Sequence, residues 1–529
     1  MKRMKSKYPM AQRVSQSLQG GQDEETLEPH VLVDHRGRPI GRFQEGDSVI
    51  FYNLRGEREV ELCRSFLDKE FIFFPTRREL RLNFMTLIRY HEDLPAKVAF
   101  PEEEAIADTL SEVLSRQGLR QVKIAEEEKA VHISYFLNGK WLKPFPGEER
   151  ILIPTFKDVP FPDQRPEMNA QGVADSVLEK LKDPTIDFIF ANFANIDVIA
   201  HTGNEEAIRS AVEEVDFQLG RCLREATGRG WITIISADHG TAEKWYYPDG
   251  SIDTGHTDSP VPFIIVDPQG TKISLRTDGE LTDIAPTILD IFKIEKPKAM
   301  TGRTLFLRQP CFSEKKPQVL FILLDGWGYR DEVEGNLISQ ADTPVMKSLQ
   351  EGSPFITLRA AGEAVGLAAG GVGNSEAGHL HIGAGRRIES DRLRIDRAIE
   401  DGSFFRNEEI LKIMKNARDR EKNLHLIGIL SFFSSHGSVN HLLALLRMAK
   451  QNNLQKLFVH AILGRRGEKK ESGGHYIRMI EEKMATLGIG QVASAIGRYF
   501  ALDREENWKR IEKTYQMLVY GKGIPVYKD

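Results

Sequence analysis

Acidic and histidine side chains follow several apolar segments of the chain, at the positions where those segments end. Carboxylate and imidazole groups without thiolates suit Mn²⁺ or Zn²⁺, and a mixed oxygen and nitrogen set favours Mn²⁺. Taken singly, an aspartate after a strand is more often a helix N-cap, and an aspartate four residues before a histidine is a common spacing. The combination predicts a metal cluster. Its candidate ligands are Asp197, His201, Asp238, His239, His256 and Asp325.

A second candidate is the glycine-rich segment 370–379, GGVGNSEAGH, which carries one hydroxyl at Ser375. Small residues let the backbone approach a bulky anion closely. If Ser375 begins a helix, the helix dipole favours an anion there, and a nearby metal would make the serine a nucleophile toward phosphorus. Taken alone, a glycine-rich surface loop with Ser375 as an ordinary N-cap is the more common case.

Arginines form the third pattern. Arg55 and Arg58 follow the strand-like segment 48–53, and Arg498 and Arg504 flank the segment 499–503. Guanidinium groups bind carboxylate and phosphate bidentately, so a cluster of them would suit an acidic phosphorylated metabolite. The sequence does not bring the four together, and most arginines are solvated surface residues.

The elements that must position these side chains alternate between strands and helices. Short apolar runs at 188–193, 232–235, 263–266 and 319–324 are typical of buried parallel strands. A helical pattern covers 205–226, and another helix is predicted over 102–117, ending at Gly118. The alternation predicts a doubly wound α/β sheet, in which ligands gather beyond the carboxyl ends of the strands.

Composition, charge and cysteine count argue against several classes of protein function for this sequence. The 529 residues include 72 Lys and Arg against 77 Asp and Glu, a formal charge of −5, so nucleic-acid binding is not expected. We find no apolar run of about 20 residues, and segment 1–13 lacks the apolar core of a secretory signal. The chain has three cysteines, and because they are widely spaced and odd in number, no disulfide framework is expected. A cytoplasmic protein with no membrane partner is expected.

Several strings resemble the cofactor-independent phosphoglycerate mutases, members of the alkaline-phosphatase-like group. Among them are LLDGWG, GNSEAGHLHIGAGR, NFANIDVIAHTG, ADHGTAE, HTDSPVPF, VIFYNLRGER and IGRYFALDREENW. Segment 316–523 resembles the amino-terminal half of that family, and segment 29–306 resembles its carboxyl-terminal half. The halves stand in reversed order, which is the pattern of a circular permutant.

The resemblance implies two α/β domains. A phosphatase-like, metal-binding domain with a doubly wound sheet would span 104–389. A smaller transferase-like domain would be assembled from 1–103 and 390–529, with 1–28 a disordered or linker-like segment.

The resemblance also implies an activity in glycolysis and gluconeogenesis: interconversion of 3-phosphoglycerate and 2-phosphoglycerate through a phosphoserine, with two divalent metal ions, Mn²⁺ being the expected metal. Ser375 would be the nucleophile, and Lys129 would offset charge in the transition state. The protein would act as a monomer on a small-molecule substrate. One ion would be held by Asp197, His201 and His256, and the other by Asp325, Ser375, Asp238 and His239. Substrate would be bound by His436, Arg465, Arg498, Arg504, Arg55 and Arg58.

The chain departs from the family pattern in the transferase-like domain. Where the family has Asp-Gly-Arg-Asp, residues 462–467 are Ile-Leu-Gly-Arg-Arg-Gly. With a one-residue gap Arg465 keeps the arginine role and Arg466 replaces the aspartate; without the gap Arg466 is the arginine and Gly467 replaces the aspartate. In both cases the final carboxylate, which serves proton transfer in the family, is missing. Residues 432–434 before His436 are Phe-Phe-Ser instead of the usual aspartate-diglycine. Two alternatives to the mutase follow: a metal-dependent phosphohydrolase of small phosphorylated acids, or an impaired relative kept for binding. His379 and His381 are expected to be structural.

Overall fold

The structure is a computed structural model of the chain. It describes residues 7–101 (for Glu57 the backbone only), 105–156, 159, 161–247, 249–310, 312, 316–432, 434, 436–464 and 472–528. The chain forms two compact units: unit 1 is Met1–Glu102 with Asp391–Asp529, and unit 2 is Glu103–Ser390. Each unit has one mainly parallel sheet, so the predicted two-domain α/β class is confirmed. Within the described ranges, no helix has the length and hydropathy needed to cross a bilayer.

Fifteen strands are described, and most are short and buried. They are β1 His30–Val33, β2 Ser48–Phe51, β3 Asn83–Thr86, β4 Lys97–Val98, β5 Gln121–Glu126, β6 Glu148–Ile153, β7 Phe188–Phe193, β8 Ile232–Ser236, β9 Val261–Val266, β10 Val319–Leu324, β11 Phe355–Leu358, β12 Leu424–Ile429, β13 Leu457–Leu463, β14 Gln491–Gly497 and β15 Ile524–Tyr527.

The α-helices lie between these strands and cover the sheets. They are α1 Pro9–Gln19, α2 Gly56–Leu67, α3 Leu110–Arg116, α4 Ala170–Lys180, α5 Asn195–Ala200, α6 Glu205–Gly228, α7 Ile284–Ile291, α8 Leu337–Gln340, α9 Pro344–Gly352, α10 Ser375–Ala384, α11 Asp391–Glu400, α12 Glu408–Asp419, α13 Val439–Gln451, α14 Ser472–Leu487, α15 Arg498–Ala501 and α16 Trp508–Tyr520.

Unit 2 has a seven-stranded sheet in the order β11-β9-β8-β10-β7-β5-β6. The strands from β8 to β6 are parallel, and β9 is antiparallel to both of its neighbours. In the register, Leu324 of β10 lies opposite Phe193 of β7, and Leu323 lies opposite Ser236 of β8. Because these three strands end together, the loops that follow them share one edge of the sheet.

Unit 1 has an eight-stranded sheet in the order β15-β1-β14-β13-β12-β2-β3-β4. The six strands from β14 to β4 are parallel, whereas β1 is antiparallel to β14 and parallel to β15. At the middle of the sheet, Phe51 of β2 lies opposite Ile427 of β12. Unit 1 is therefore built from both ends of the chain.

Two sequence predictions need correction. The helix predicted over 102–117 begins only at Leu110, because the Thr109 side chain caps it by accepting from the Glu112 N–H and Asp108 has a positive φ of 61°. Residues 102–104 lie outside the described residues. The segment 1–28, expected to be a linker, contains α1, which buries Met10, Val14 and Leu18. Their i, i+4 spacing gives that helix an apolar face.

The other predicted elements agree closely with the structure. The strands at 188–193 and 319–324 have the predicted bounds, and those at 232–235 and 263–266 are longer by one and two residues. The helix predicted over 205–226 extends to Gly228. These segments are long, strongly periodic or bounded by clear caps, which are the patterns that specify an element locally.

Candidate functional site

The candidate metal ligands of unit 2 lie where the register places them, at one edge of the sheet. Asp325 directly follows β10, and Asp238 and His239 come two and three residues after β8. After β7 the chain turns at once into α5, whose first turn carries Asp197 and whose C-cap is His201. Ser375 is the first residue of α10, where the Asn374 side chain caps the helix by accepting from the Ala377 N–H at 2.9 Å.

The first group consists of Asp197, His201 and His256. Nε2 of His256 lies 3.2 Å and Nε2 of His201 3.5 Å from Asp197 Oδ1, and the two Nε2 atoms are 3.2 Å apart. Nδ1 of His201 faces the Thr254 carbonyl at 2.8 Å, and Nδ1 of His256 faces that of Gly373 at 3.0 Å. A carbonyl only accepts, so each Nδ1 carries a proton, and in the neutral ring each Nε2 presents a lone pair.

These lone pairs converge on a carboxylate oxygen, Asp197 Oδ1, that makes no hydrogen bond to any described residue. Convergent acceptors without a shared proton need a cation between them. The donor set, one oxygen and two nitrogens, suits a divalent metal ion. The residues of the first group therefore fit a metal.

The second group surrounds the Ser375 hydroxyl. Its Oγ lies 2.9 Å from Lys129 Nζ, 3.0 Å from His239 Nε2 and 3.2 Å from Asp325 Oδ1. Asp238 is also buried, and its Oδ2 makes no hydrogen bond to any described residue. Ligand atoms within 4.8 Å of one another come from Asp197, His239 and Asp325, and from Asp238, Asp325 and His379. This second donor set also fits a divalent cation.

Lys129 joins the two groups. It lies in the 3₁₀ turn Glu127–Lys129 directly after β5, and its Nζ is 2.6 Å from Asp197 Oδ2 and 2.7 Å from Asp325 Oδ1. Burial by itself lowers the pKa of Lys129, but the Asp325 and Asp197 carboxylates outweigh it and hold the pKa above its usual value. The ammonium group is therefore a permanent cation beside the serine hydroxyl.

Three buried carboxylates, those of Asp197, Asp238 and Asp325, dominate the charge of this edge. Burial raises the pKa of Asp325, but Lys129 and His239 outweigh it and hold the carboxyl well below its usual pKa. Burial lowers the pKa of His239, but the Asp238, Asp325 and Asp197 side chains raise it to about 10. Buried like charges at this density are costly unless a cation compensates them.

Glu243 is a positioning residue that the sequence analysis missed. It is fully buried; its Oε2 accepts from the Thr241 N–H at 2.9 Å, and the Thr257 hydroxyl donates to its Oε1. Thr241 Oγ1 in turn donates to the Gly326 carbonyl at 2.7 Å. The loops that carry Asp238, His256 and Asp325 are thus tied to one another. The string ADHGTAE contains Glu243, so the resemblance offered a signal for it.

His379 lies closer to the site than expected. Its Nδ1 donates to the Ser375 carbonyl at 2.8 Å, and its Nε2 accepts from Asn192 Nδ2 at 3.0 Å. Asn192, in buried strand β7, also donates to Asp325 Oδ2 at 2.8 Å, and no sequence signal marked it. Both ring nitrogens of His381 also have protein partners, the Ala377 carbonyl and the Ile388 N–H.

Unit 1 carries a separate buried polar cluster, composed of Asn53, Glu59, His436 and Arg498. Arg498 Nη2 lies 3.1 Å from His436 Nε2, and His436 Nδ1 lies 3.3 Å from Glu59 Oε1. Asn53 Nδ2 donates to Glu59 Oε1 at 2.7 Å. Gly464 leaves room for Arg498, because a Cβ there would lie 2.4 Å from the arginine Cδ. Glu59 and Asn53 were not predicted from the sequence.

Of the remaining candidate substrate residues, the structure describes Arg55, Arg58 and Arg504. Arg55 is the exposed N-cap residue of α2, and its charge acts on the Glu59 carboxyl. Arg58 follows in the first turn of α2 and donates from Nη1 to the Leu502 carbonyl at 3.2 Å. Arg504 is exposed in the loop between α15 and α16. Arg465 lies outside the described residues, as do Arg466 and Gly467.

The chain is similar in sequence to known protein families. Residues 17–296, just over half of the chain, match the family model of the metalloenzyme superfamily, and the chain belongs to that superfamily. Residues 395–528 match the model described as the N-terminus of BPG-independent PGAM. The match to a family's amino terminus thus lies in the carboxyl-terminal part of this chain.

The curated relatives carry a more particular name. The chain is 44% identical over 287 residues to the 2,3-bisphosphoglycerate-independent phosphoglycerate mutase of Moorella thermoacetica, covering 54% of this chain and 55% of that protein. It is 39% identical over 296 residues to the protein of the same name from Syntrophotalea carbinolica, covering 56% and 57%. The chain spans about half the length of the curated relatives it matches.

A solved structure of Leishmania mexicana phosphoglycerate mutase, determined at low cobalt concentration, is similar over 52% of this chain and 53% of that chain. The sequence identity is 26% and the TM-score 0.41.

Proposed function

We propose that this protein is a metal-dependent phosphoglycerate mutase that interconverts 3-phosphoglycerate and 2-phosphoglycerate through a phosphoserine at Ser375. The observation that carries the proposal is the surrounding of one serine hydroxyl by an ammonium, an imidazole and a carboxylate within 3.2 Å. Such an environment activates a hydroxyl for attack on phosphorus and binds the phosphoryl group that results. The names of the similar proteins support this choice of substrate.

Two divalent ions, Mn²⁺ in our proposal, would complete the centre. When bound, they would stabilise charge on the transferring phosphoryl group and lower the pKa of the serine hydroxyl. One ion would be held by Asp197, His201 and His256, and the other by Asp325, Asp238, His239 and Ser375.

The other residues would divide the work between binding and charge. Lys129 would offset the negative charge that grows on the phosphoryl oxygens. The position of Ser375 at the start of α10 would add the favourable N-terminal end of a helix dipole. His436, Arg498, Arg55, Arg58, Arg504 and Arg465 would hold the carboxylate and hydroxyls of glycerate. Unit 2 would thus be the phosphatase-like domain and unit 1 the transferase-like domain.

We further propose that the chain is a circular permutant, acting as a cytoplasmic monomer in glycolysis. The order of the two family matches supports the permutation. Within unit 1, Lys7 and Lys528 line the same surface cavity, so the two ends of the described chain lie near each other. Ends that meet at a surface can be joined, and the chain recut elsewhere, at low cost.

The test is a coupled assay of the Mn²⁺-loaded protein with 3-phosphoglycerate, following 2-phosphoglycerate and free phosphate together. We expect formation of 2-phosphoglycerate and a loss of at least about 10³-fold in Ser375→Ala. Ser176→Ala is the matched control, because that hydroxyl only donates to the Gly172 carbonyl within α4. Intact-protein mass after quenching should show one added phosphoryl group, absent from Ser375→Ala.

The missing carboxylate at 464–467 favours one competitor, a phosphohydrolase in which water takes the phosphoryl group from the serine. Release of phosphate without 2-phosphoglycerate, lost in Ser375→Ala, would establish that competitor and refute the mutase. Metal-loaded protein that gives neither product would refute both activities and leave a binding role.

A further inference from the structure

A buried carboxyl group lies directly behind the histidine of the unit 1 cluster. Glu59 is fully buried in α2, and its Oε1 faces His436 Nδ1 at 3.3 Å. Its Oε2 makes no hydrogen bond to any described residue. A half-satisfied carboxyl in a core lowers stability, so packing alone gives no reason for it. The pairing with His436 suggests a functional reason.

The contacts define the tautomer of His436. Arginine has no acceptor, so Arg498 Nη2 must donate to His436 Nε2, which is therefore unprotonated. The ring proton then lies on Nδ1 and is donated to Glu59 Oε1. Asn53 Nδ2 donates to the same oxygen, and the Ile429 N–H donates to Asn53 Oδ1 at 2.8 Å. The backbone of β12 thus fixes Asn53, Asn53 fixes Glu59, and Glu59 fixes the imidazole.

This inference rests on the proposed function, because moving a phosphoryl group between two hydroxyls of glycerate requires a proton to leave one oxygen and return to the other. A group that exchanges protons near neutral pH is needed. Arginine guanidinium groups stay protonated and cannot exchange them. Among the described members of the unit 1 cluster, His436 and Glu59 are the residues with suitable chemistry.

We propose that His436 Nε2 exchanges the proton of the glycerate hydroxyl and that Glu59 is the positioning residue that keeps Nε2 unprotonated and stabilises the imidazolium once it forms. A substrate hydroxyl takes the place of the Arg498 N–H at Nε2. Enzymes that catalyse acyl transfer use the same arrangement, in which a carboxyl group binds Nδ1 of a histidine and the reacting hydroxyl binds Nε2.

Each half-reaction transfers one phosphoryl group, and one proton moves between His436 and the glycerate oxygen. When a glycerate hydroxyl attacks phosphoserine, its oxygen forms a bond to phosphorus and the bond from phosphorus to Ser375 Oγ breaks, leaving the electron pair on Oγ. The hydroxyl proton moves to His436 Nε2. In the opposite half-reaction, which phosphorylates the serine, Ser375 Oγ gives its own proton to solvent and attacks the substrate phosphorus. The bond to the glycerate oxygen breaks, and His436, protonated at Nε2 from solvent beforehand, donates that proton to the leaving oxygen.

The charges around Glu59 are consistent with this role. Burial raises the pKa of Glu59 to about 8, and the Asn53 hydrogen bond and the charges of Arg55 and Arg498 oppose that rise. Among the described residues, the other titratable groups that act on Glu59 are His436, Cys63 and Tyr90. The pKa values of Cys63 and Tyr90 are raised chiefly by their own burial. Glu59 is therefore mostly a neutral acid at neutral pH, and a positive charge on His436 would favour its ionisation.

The experiment compares Glu59→Gln with wild type in the Mn²⁺-loaded full chain, using two phosphoryl donors. With 3-phosphoglycerate the leaving oxygen needs a proton, so we expect kcat to fall about 10²-fold with KM within about threefold. With p-nitrophenyl phosphate the leaving phenolate needs no proton, so its turnover should stay within about twofold.

Two further variants make the test specific. His436→Gln should show the same dependence on the leaving group, and the double variant should lose little more than either single variant. Glu481→Gln is the matched control: Glu481 is a half-buried carboxyl of unit 1 with a pKa raised by burial to about 7, but it accepts from the Met10 and Ala11 N–H groups of α1. It should retain full activity.

Each alternative result has a clear meaning. Mutase activity within threefold of wild type in Glu59→Gln would overturn the role of Glu59, as would an equal loss with both donors. A wild-type protein that forms no 2-phosphoglycerate would instead refute the proposed function, and this inference with it.

Discussion

Two buried histidines, His239 in unit 2 and His460 in unit 1, have pKa values that are shifted in opposite directions. His239 is surrounded by the Asp238, Asp325 and Asp197 carboxylates, and its pKa rises to about 10 despite burial. Burial holds the pKa of His460 well below its usual value, and the neighbouring imidazole of His425 lowers it further. The nearby charges, and not the depth of burial, decide whether a buried imidazole is charged.

The same contrast separates the two candidate sites. The edge of unit 2 concentrates negative charge and requires cations, whereas the unit 1 cluster places one arginine, Arg498, beside one histidine and one carboxyl. The first arrangement suits metals and the second suits an acidic substrate. If this division holds, damage to one site should leave the chemistry of the other measurable.

The largest expected effect is that of Asp197→Asn. Asp197 Oδ1 is the point on which two histidine lone pairs converge, so its loss should remove metal from the first group and lower mutase activity at least about 10³-fold. Elemental analysis after gel filtration measures the metal content. Asp183→Asn should change neither quantity, because Asp183 is a partly exposed aspartate whose side chain accepts from the Thr185 N–H and hydroxyl. Full metal content in Asp197→Asn would refute this ligand assignment.

Arg498→Ala should separate binding from metal content. The side chain is buried against His436 and Gly464. If Arg498 binds substrate as proposed, loss of its charged hydrogen bond should raise KM about 10- to 100-fold. Metal content should equal that of wild type. Arg38→Ala, which removes an exposed ion pair with Asp34 in the same unit, is the matched control. A parallel fall in metal content would contradict the division between the two sites.

How much of this could be predicted from the sequence differs between the sites. Asp325, Asp238 and Asp197 follow apolar strands directly, so strand prediction alone places them together. Lys129 was identified only through the resemblance, because Glu127, Glu128 and Lys129 look like a solvated charged run. Ser375 needed both the glycine-rich segment and the resemblance.

Glu59 could not have been found in this way. Its segment, GEREVELCRSFL, is amphipathic and charge-rich, so Glu59 looks like an ordinary surface residue of a helix. Its contact residue His436 is 377 positions away in the sequence. Asn192 and Glu243 were missed for a related reason, since a polar residue in a buried strand or turn shows its role only through partners from other loops. Tertiary burial, and not local pattern, creates these sites.

The smallest expected effect concerns stability and comes from a buried polar row in unit 1. Asp47 Oδ2 faces His425 Nε2 at 3.0 Å, His425 Nδ1 faces His460 Nε2 at 3.0 Å, and His460 Nδ1 faces Ser494 Oγ at 2.8 Å. His460 stays neutral when folded but binds a proton below about pH 6.5 when unfolded. Its contribution to the free energy of unfolding therefore falls as the pH drops below that value.

At pH 5.5 this loss amounts to about 1 kcal/mol relative to pH 7.5. Hydrogen exchange of β13 and β14 amides at the two pH values measures it, and His460→Gln should reduce the difference by that amount. His91→Gln, at an exposed position, should leave the difference unchanged. An unaltered acid sensitivity in His460→Gln would assign it to other groups.

The assembly of unit 1 from both chain ends has a consequence for synthesis. Strand β2 is made early, but its hydrogen-bonded neighbour β12 lies some 376 residues later, as the bond from the Ile429 N–H to Asn53 Oδ1 shows. At about 5–20 residues per second, a ribosome needs roughly 20–75 s to reach it. Unit 2 is contiguous and can fold during that interval. The first hundred residues meanwhile expose unpaired strand edges, which makes them the natural point of action for a chaperone on the nascent chain.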